Sequence, residues 1–441
     1  MKRIRAIAWT TLRLLFRNGT GWGVLAAIAV IGSFIFFSAR ADDVLLHELR
    51  LRIRYGTTFY TVFLAVCLLF SSCLSVRLDI DRKLMHILTS YPVHRYEIWC
   101  GKWLGLMLFS VLGLCVGMVS VGFSATWYVA ANSVDRSGLS GFWRCHRVCH
   151  PEMPSLDLLV EREHRLRERE GRLPTDRSSW QIRSDLRTEI RRQTQLLETG
   201  EKRTWTFDLG KGAASREELL LEYSFFAQEQ RRLVRGIWLV EAEDGPGQHT
   251  ETVEAFPYTV NRVTIPISCL SESGRVRVTF QGIDAPHLIF ARGKGIRLFL
   301  EDGSFWSNTF RGHIVVLLHF GAIVALGMTV ATAFTFPVAA FVSTVFYLLA
   351  AATGFFESVA RDLDWGEPGV LRTLSDGVIR GGVWLTRGLR LPPVIGRVSG
   401  GTSVEFGSLV SAWGAQFIVY AIVVGGLGMW WLTRKELDRL H

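Results

Sequence analysis

The amino-acid sequence predicts an α-helical polytopic membrane protein with six transmembrane helices and an inserted extracytoplasmic α+β domain, mainly an antiparallel β-sandwich. Of its 441 residues, 49% are hydrophobic and 15 are Trp. Several apolar runs reach the ~20 residues that a helix needs to cross a bilayer. The polar residues 131–310 interrupt these runs and carry short aromatic and β-branched stretches between turn residues, a pattern typical of strands.

Six segments have the length and apolar composition of membrane-spanning helices. Basic residues are only slightly enriched on one side, so the orientation depends on the first helix, whose basic N-terminal flank is expected in the cytoplasm. Both termini and the loop 76–102 are then cytoplasmic, and residues 126–311 and 356–407 lie outside. The predicted spans are residues 20–38, 57–76, 103–125, 312–333, 337–355 and 408–432.

The net charge of +10 is unevenly distributed. Residues 131–310 hold 26 Lys and Arg against 26 Asp and Glu, which leaves 24 basic and 14 acidic side chains in the rest of the chain. A basic excess beside membrane helices favours contact with anionic lipid headgroups over binding to nucleic acid.

Residues 1–19 are predicted to form a basic amphipathic helix on the cytoplasmic surface, because apolar and basic positions alternate at helical spacing. A cleaved signal peptide is the alternative, since Ala39-Arg40-Ala41 follows the first apolar run, but the basic region is long for a signal peptide. The basic positions are Lys2, Arg3, Arg5, Arg13 and Arg17.

Residues 126–311 are too long and too polar for an ordinary loop between membrane helices. Residues 155–200 alternate in charge and indicate solvated helices. Residues 201–305 change to the strand pattern and are expected to form the β-sandwich. The predicted strands are Thr204–Leu209, Glu218–Phe226, Gly236–Ala242, Thr259–Ile267, Val276–Phe280 and Ile296–Leu300.

A cluster of sulfur and imidazole side chains begins this domain: Cys145, His146, Cys149 and His150. Cys and His are metal ligands, and Cys-x3-Cys-His is also a rare haem-attachment spacing. In an oxidising compartment a disulfide is simpler, either within the cluster or from one of its cysteines to Cys269. Disulfide, metal and haem all remain open from the sequence.

The polar stretch Ser75–Gly105 separates two long apolar runs. Charged residues precede a short apolar patch that ends at Pro92, which favours a short amphipathic helix at the membrane face, with an ordinary loop as the alternative. A soluble partner protein could press on such a helix. The residues of interest are Arg82, Lys83, Leu84, Met85, Ile87, Leu88, Pro92, Arg95 and Glu97.

This stretch contains Thr89-Ser90-Tyr91-Pro92-Val93-His94-Arg95, followed by Glu97-Ile98 and Gly101-Lys102. The sequence resembles the cytoplasmic loop of type 2 ATP-binding-cassette (ABC) exporter permeases. The subgroup related to multi-copper-enzyme maturation, such as nitrous-oxide-reductase maturation permeases, is the most similar. His94 departs from the small polar residue usual in that loop. The resemblance covers about 30 residues and agrees with the order of the membrane helices.

The resemblance implies a permease subunit that contacts an ABC ATPase subunit through the residues of this loop and forms a dimer with a second copy or a sister permease. ATP and Mg²⁺ would bind the partner, because the chain has no G-x-x-x-x-G-K-[ST] motif and we expect no cofactor or enzymatic activity in it. It also implies that residues 1–19 form an elbow helix and that residues 356–407 hold short interfacial or re-entrant helices.

Two other functions fit the composition. The chain could be an extracytoplasmic binding or scaffold protein, handling polysaccharide or a maturing metalloenzyme without transport, or a metal or haem protein built on the Cys145–His150 cluster. His319, inside the fourth predicted span, is an additional candidate because ionisable groups within the bilayer are costly. The simpler interpretation is a histidine that hydrogen-bonds to a neighbouring helix. Gly113 and Gly117 have the spacing of close helix packing, within the chain or at a dimer seam.

Overall fold

The computed structural model divides the chain into two compact units, residues 1–143 with 304–441 and residues 144–303. The first unit is helical and the second is mainly antiparallel sheet. The structure describes residues 2–39, 45–81, 93–131, 143–174, 178–210, 219–227, 233–243, 247–266, 269, 274–284, 287–293, 295–362, 377, 381–382, 386, 389–390, 393–404, 407 and 415–437.

The helical unit begins with an amphipathic helix and three longer helices. The last two have 37 residues each, so at 1.5 Å per residue they are about 55 Å long and exceed the ~30 Å hydrocarbon layer. They therefore extend beyond the predicted spans at both ends. The bounds are α1 Lys2–Arg17, α2 Thr20–Ser38, α3 Leu45–Asp81 and α4 Arg95–Ala131.

The chain returns to this unit after residue 303, and the described residues there include four further helices with defined bounds. In the described part of the chain, five helices are long and apolar enough to cross a membrane, namely α2, α3, α4 and the first two of the returning set. The sixth predicted span, 408–432, is described from residue 415 onward, and its apolar portion is Phe417–Trp431. The bounds are α7 Phe305–Ala333, α8 Phe336–Asp362, α9 Val394–Ser399 and α10 Ala415–Leu437.

Small residues let these helices approach closely. A Cβ atom on Gly117 would lie 2.5 Å from the ring of Tyr60 in α3, and one on Gly113 would lie 2.7 Å from Leu64. Only glycine leaves room for these side chains. The pair therefore packs within the chain, as one of the two interpretations of its spacing predicts.

Side-chain contacts also give the direction of each helix. Tyr60 hydrogen-bonds His313, and the Cys73 Sγ donates to the carbonyl of Gly327 at 3.4 Å. Contacts therefore advance together along α3 and α7, and these two helices run in the same direction. Likewise, Thr329 Oγ1 donates to the carbonyl of Val424 at 2.9 Å while His319 lies 5.3 Å from the Phe417 ring, so α7 and α10 are parallel.

The region predicted to contain interfacial helices, residues 356–407, is described only in part. The short helix α9 packs on α7, where a Cβ on Gly312 would lie 2.7 Å from Val398. Asn308 then holds the following segment, because its side chain donates to the carbonyl of Thr402 at 2.9 Å and accepts from the N–H of Val404 at 2.7 Å.

The described residues of the second unit contain eleven strands in three sheets, ordered β1–β11–β4–β8, β2–β10–β5 and β3–β9–β6–β7, with antiparallel pairing among β2 to β11. The strands are β1 Arg144–Cys149, β2 Leu196–Glu198, β3 Lys202–Asp208, β4 Leu219–Tyr223, β5 Phe225–Ala227, β6 Val234–Ala242, β7 Gln248–Ala255, β8 Asn261–Ile265, β9 Arg275–Gly282, β10 His287–Phe290 and β11 Ile296–Ser304.

One aromatic core joins the three sheets. The fully buried Trp238 ring lies 4.6 Å from Phe280, 5.0 Å from Tyr223 and 6.4 Å from Phe290, between ring centroids. Burial raises the pKa of the Tyr223 hydroxyl to about 12, so this side chain stays neutral at physiological pH. Such ring contacts contribute ~0.5–1.5 kcal/mol each beyond the area they bury.

Two helices, α5 (Leu156–Arg169) and α6 (Ser179–Gln195), form a hairpin inserted after β1, as the alternating charges of residues 155–200 predict. Each begins at a serine that accepts a hydrogen bond from the first turn, and Ser178 with Gln181 forms a complete capping box. Their small apolar core is Val160, Ile182, Leu186 and Ile190. Arg167 of α5 also joins the two helices, because its Nη2 atom donates to both carboxylate oxygens of Glu189 in α6 at 3.0 Å.

All six predicted strands correspond to strands in the structure, although the predicted Glu218–Phe226 is divided into β4 and β5, and four other strands were not predicted. β1 was interpreted as a ligand cluster and β2 as the end of a helix. β10 has only four residues. β7 alternates exposed and partly buried positions, which are mainly Thr, His and Glu, and it lies at a sheet edge, so its period-two pattern is not hydrophobic.

Candidate functional site

The polar stretch between α3 and α4 is the candidate contact site for a partner protein. Its centre lies outside the described residues, so the structure gives no position for the sequence-predicted side chains there. These are Arg82, Lys83, Leu84, Met85, Ile87, Leu88 and Pro92. The two flanks of the loop are described, and they contain Arg95 and Glu97 as well as several residues that the sequence did not single out.

Glu97 has an internal role at the start of α4. It is only 7% exposed, and its Oε2 atom accepts a hydrogen bond at 3.0 Å from the backbone N–H of His94, the residue that caps the helix. The N–H of Glu97 donates in return to the His94 carbonyl at 2.9 Å. A carboxylate at this position satisfies an otherwise unpaired donor and complements the positive end of the helix dipole.

The same carboxylate connects α4 with the N-terminal helix. Arg3 Nη1 lies 3.7 Å from Glu97 Oε2, and the Arg3 side chain is half exposed. A pair with one half-exposed partner and a separation of 3.7 Å contributes ~0–1 kcal/mol, so the helices are held together mainly by packing.

Packing between α1 and α4 depends on two glycines. A Cβ on Gly101 would lie 2.7 Å from Ile7 Cβ, and one on Gly105 would lie 2.7 Å from the Ala8 carbonyl oxygen. Further along, the Phe16 ring packs edge-on against Phe109 at 6.0 Å. These contacts advance in step along both helices, so α1 runs beside the first turns of α4 and in the same direction.

A buried ion pair closes the loop at its base. Lys102 Nζ in α4 lies 2.5 Å from Asp79 Oδ2 in the last turn of α3, and it also donates a hydrogen bond to the backbone carbonyl of Ser75. Lys102 is 8% exposed. Removing one partner of a buried pair leaves an uncompensated charge and costs about 3–5 kcal/mol. This pair therefore fixes the end of α3 to the start of α4.

Two aromatic side chains extend from the start of α4. The His94 and Tyr96 rings are stacked, with centroids 5.5 Å apart and planes at 13°, and Tyr96 is 50% exposed. Arg95 between them is partly exposed. An exposed Tyr beside a basic residue is the composition typical of protein interfaces. Sequence reasoning did not select His94 and Tyr96, although their position beside Arg95 in the same stretch was a usable signal.

The flanks of the loop thus form one structural unit made of the C-terminal end of α3, the first turns of α4 and the helix α1. A force applied to the loop would be transmitted to α3 and α4 through Lys102 and Asp79, and to α1 through the contacts of Gly101 and Gly105. The unit can act as a mechanical connection.

The Cys145–His150 cluster is arranged as a strand. Side chains alternate along β1, so the buried Cys145 and Cys149 lie on one face and His146, which packs 6.3 Å from the Phe299 ring, lies on the other. Four residues of strand span about 13 Å, so a disulfide between these two cysteines is excluded. Cys149 and Cys269 belong to the same core, and their pairing stays a prediction.

Metal binding at this cluster has no geometric support. The Nδ1 atom of His150 lies 3.1 Å from the Gly293 carbonyl oxygen, beyond the end of the strand. Within the described ranges, no three His, Cys, Asp or Glu side chains are grouped so as to hold a metal ion. The local sequence spacing suggested a ligand set that the strand geometry separates.

His319 lies in the middle of α7 and is fully buried. Its ring packs edge-on against Phe417, and neither ring nitrogen has a hydrogen-bond partner in the described part of the chain. The simpler expectation, a histidine hydrogen-bonded to a neighbouring helix, applies instead to His313, which contacts Tyr60 and the Thr309 carbonyl. An unsatisfied buried polar group is unfavourable, so His319 remains a functional candidate.

Comparisons of the chain with known family models, with curated proteins and with solved structures found no match. The function is therefore argued from the geometry of the site and from the chemistry of its residues.

Proposed function

We propose that this chain is the membrane-spanning permease subunit of a type 2 ABC exporter, which couples ATP hydrolysis on a separate ATPase subunit to transport across the cell membrane. The observation that supports it best is the loop unit: Lys102 and Asp79 join the two described flanks of the loop, with α1 packed against the same end of α4. A loop that must receive force from a partner needs such a rigid base.

The proposed topology has six crossings, with both termini and the loop in the cytoplasm. Helix directions agree with this arrangement. α3 and α7 run in the same direction, as do α7 and α10, which an alternating six-span order requires of spans two, four and six. Residues 144–303 then form an extracytoplasmic domain, for which we propose a sandwich architecture because its three sheets share one core.

The proposed mechanism is mechanical. ATPase subunits that close on ATP press on the helix expected over Leu84–Leu88 and on His94, Arg95 and Tyr96, which follow it in the chain. The Lys102–Asp79 pair transmits the displacement to α3 and α4, which rock with α1 and open a path at the seam of a permease dimer. Glu97 holds the start of α4 in place during this movement rather than contacting the partner directly.

The test is a pull-down of the tagged full-length protein from membranes in mild detergent. We expect an ATPase to co-purify with the wild type and to be lost from Leu84→Asp with Leu88→Asp, because charges abolish an apolar docking patch. The matched control places the same charges on exposed apolar residues of the other unit, Leu233→Asp with Ile283→Asp, and should retain the ATPase.

Recovery of no ATPase with a folded wild-type protein would contradict the transporter proposal. That result would favour the second candidate, a membrane-anchored extracytoplasmic binding or scaffold protein. The observation on its side is that residues 144–303 form a compact unit with a core of their own. Loss of the ATPase from both double variants would also count against the loop as the docking site.

A further inference from the structure

The helix α5 of the β-sheet unit has a basic and apolar outer face. Leu158, Arg162, Arg165, Leu166 and Arg169 follow one another at helical spacing, so they share one side of the helix, which we call the Leu158–Arg169 strip. All five side chains are exposed, and the two leucines are 62% and 44% exposed. Val160, on the opposite side, faces the small core of the hairpin.

Two acidic side chains of the hairpin pair with arginines that lie outside the strip. Glu163 pairs with Arg167 at 2.9 Å, and Asp157 pairs with Arg187 of α6. Glu161 lies at the border of the strip, where Arg165 Nη2 reaches it at 2.5 Å. In the described part of the chain, neither Arg162 nor Arg169 has a carboxylate within salt-bridge distance. The strip therefore keeps a positive charge that the protein does not neutralise.

Leucines placed between arginines fit a surface that is anionic outside and apolar just beneath. A bilayer interface has this layering: phosphate groups can pair with the arginines while leucine side chains enter the boundary with the acyl chains. The unit that carries the hairpin is joined through the chain to the apolar helices α4 and α7 at its two ends, so the strip is covalently tethered to any bilayer that holds these helices. Tethering raises the effective concentration of the bilayer at the strip.

We propose that the Leu158–Arg169 strip docks the β-sheet unit onto the anionic headgroups of the surrounding bilayer. The docking does not depend on an ATPase partner, so it can be tested separately from the transporter proposal. Its chemistry requires negatively charged lipid, since each arginine near an anionic surface contributes about a fivefold factor in binding.

The test is hydrogen exchange of the full-length protein in nanodiscs of phosphatidylcholine alone or mixed with phosphatidylglycerol. We expect exchange of the amides of residues 156–169 to be at least about fivefold slower in the anionic nanodiscs. Salt at about 0.5 M should remove most of the difference, because it screens exposed charges. Arg162→Glu with Arg169→Glu should abolish it.

The matched control is Arg191→Glu with Arg192→Glu, which makes the same charge change at exposed positions of α6 and should retain the difference. Leu158→Ser with Leu166→Ser keeps the charge of the strip and should reduce the difference in exchange between the two nanodiscs. Exchange in Val234–Ala242 reports whether each variant is folded. Equal exchange of residues 156–169 in the two nanodiscs, as expected if an acidic protein were the real partner, would overturn the proposal. The proposal would also be overturned if Arg191→Glu with Arg192→Glu abolished the exchange difference as completely as Arg162→Glu with Arg169→Glu.

Discussion

Lys102 shows how a single side chain can organise the loop. A charged group close to the membrane is tolerated only with a partner, and here Asp79 and the Ser75 carbonyl supply one. His319 is the opposite case, since its ring is buried without a hydrogen bond in the described part of the chain. The surrounding structure explains why Lys102 can be buried, whereas the described residues give His319 no partner of this kind.

We expect Lys102→Met to lower the free energy of unfolding by about 3 kcal/mol, because Asp79 would be left as a largely buried, unpaired charge. Thermal unfolding in detergent measures this. Lys102→Met combined with Asp79→Leu should recover most of the loss, because both charges are then removed.

The control for this prediction is Arg165→Met, which breaks the exposed pair with Glu161 and should leave the unfolding temperature unchanged. A double variant that is as unstable as Lys102→Met alone would show that Lys102 stabilises the chain through its packing and not through the ion pair.

The helix α1 depends on its neighbour α4 for its position. Its amphipathic pattern predicts a helix on a membrane surface, but the structure packs its apolar side along the first turns of α4. The glycines at 101 and 105 make this possible, because side chains there would collide with α1. Four-residue spacing of glycines thus occurs twice in α4, once against α1 and once against α3.

We expect Gly101→Leu to displace α1, because even its Cβ atom would lie within 3 Å of the Ile7 side chain. Hydrogen exchange of residues 2–17 should become faster by at least tenfold, since the helix loses the surface that stabilises it. The control is Gly426→Leu in α10, where a Cβ would meet no atom within 4 Å. Unchanged exchange in Gly101→Leu would contradict the packing described for α1.

The molecule as a whole consists of a membrane unit and an inserted unit with separate cores. The first and last strands of the inserted unit, β1 and β11, are neighbours in one sheet, and Arg144 pairs with Glu301 at 2.9 Å. Its two ends are therefore close together, which is the geometry that allows a domain to be inserted between two membrane helices.

We expect residues 144–303 to fold when expressed alone, with one cooperative transition in urea followed equally by tryptophan fluorescence and by circular dichroism. Trp238→Ala should lower the free energy of unfolding by about 3–5 kcal/mol, because this ring is at the centre of the core. Non-coincident transitions, or a compact state with exposed apolar surface, would show that the unit needs the membrane helices to fold.

Much of the architecture could be predicted because it depends on local composition. Apolar runs identified five described membrane helices, since a segment of ~20 apolar residues is stable in lipid without reference to the rest of the chain. The alternating charges of the hairpin and the six predicted strands are local signals of the same kind. The edge strand β7 was missed because an exposed edge need not alternate hydrophobic residues.

The sequence by itself determined where apolar segments lie and where the chain changes from helix to strand, because hydrophobicity and periodicity belong to each segment alone. Only the tertiary structure decided which residues meet. It paired Lys102 with Asp79 and placed Ile7 against Gly101. It also sent the cysteines and His146 of one hexapeptide to opposite faces of a strand. Such contacts depend on helix rotation and strand register, which the packing of distant segments sets and residue spacing alone does not reveal.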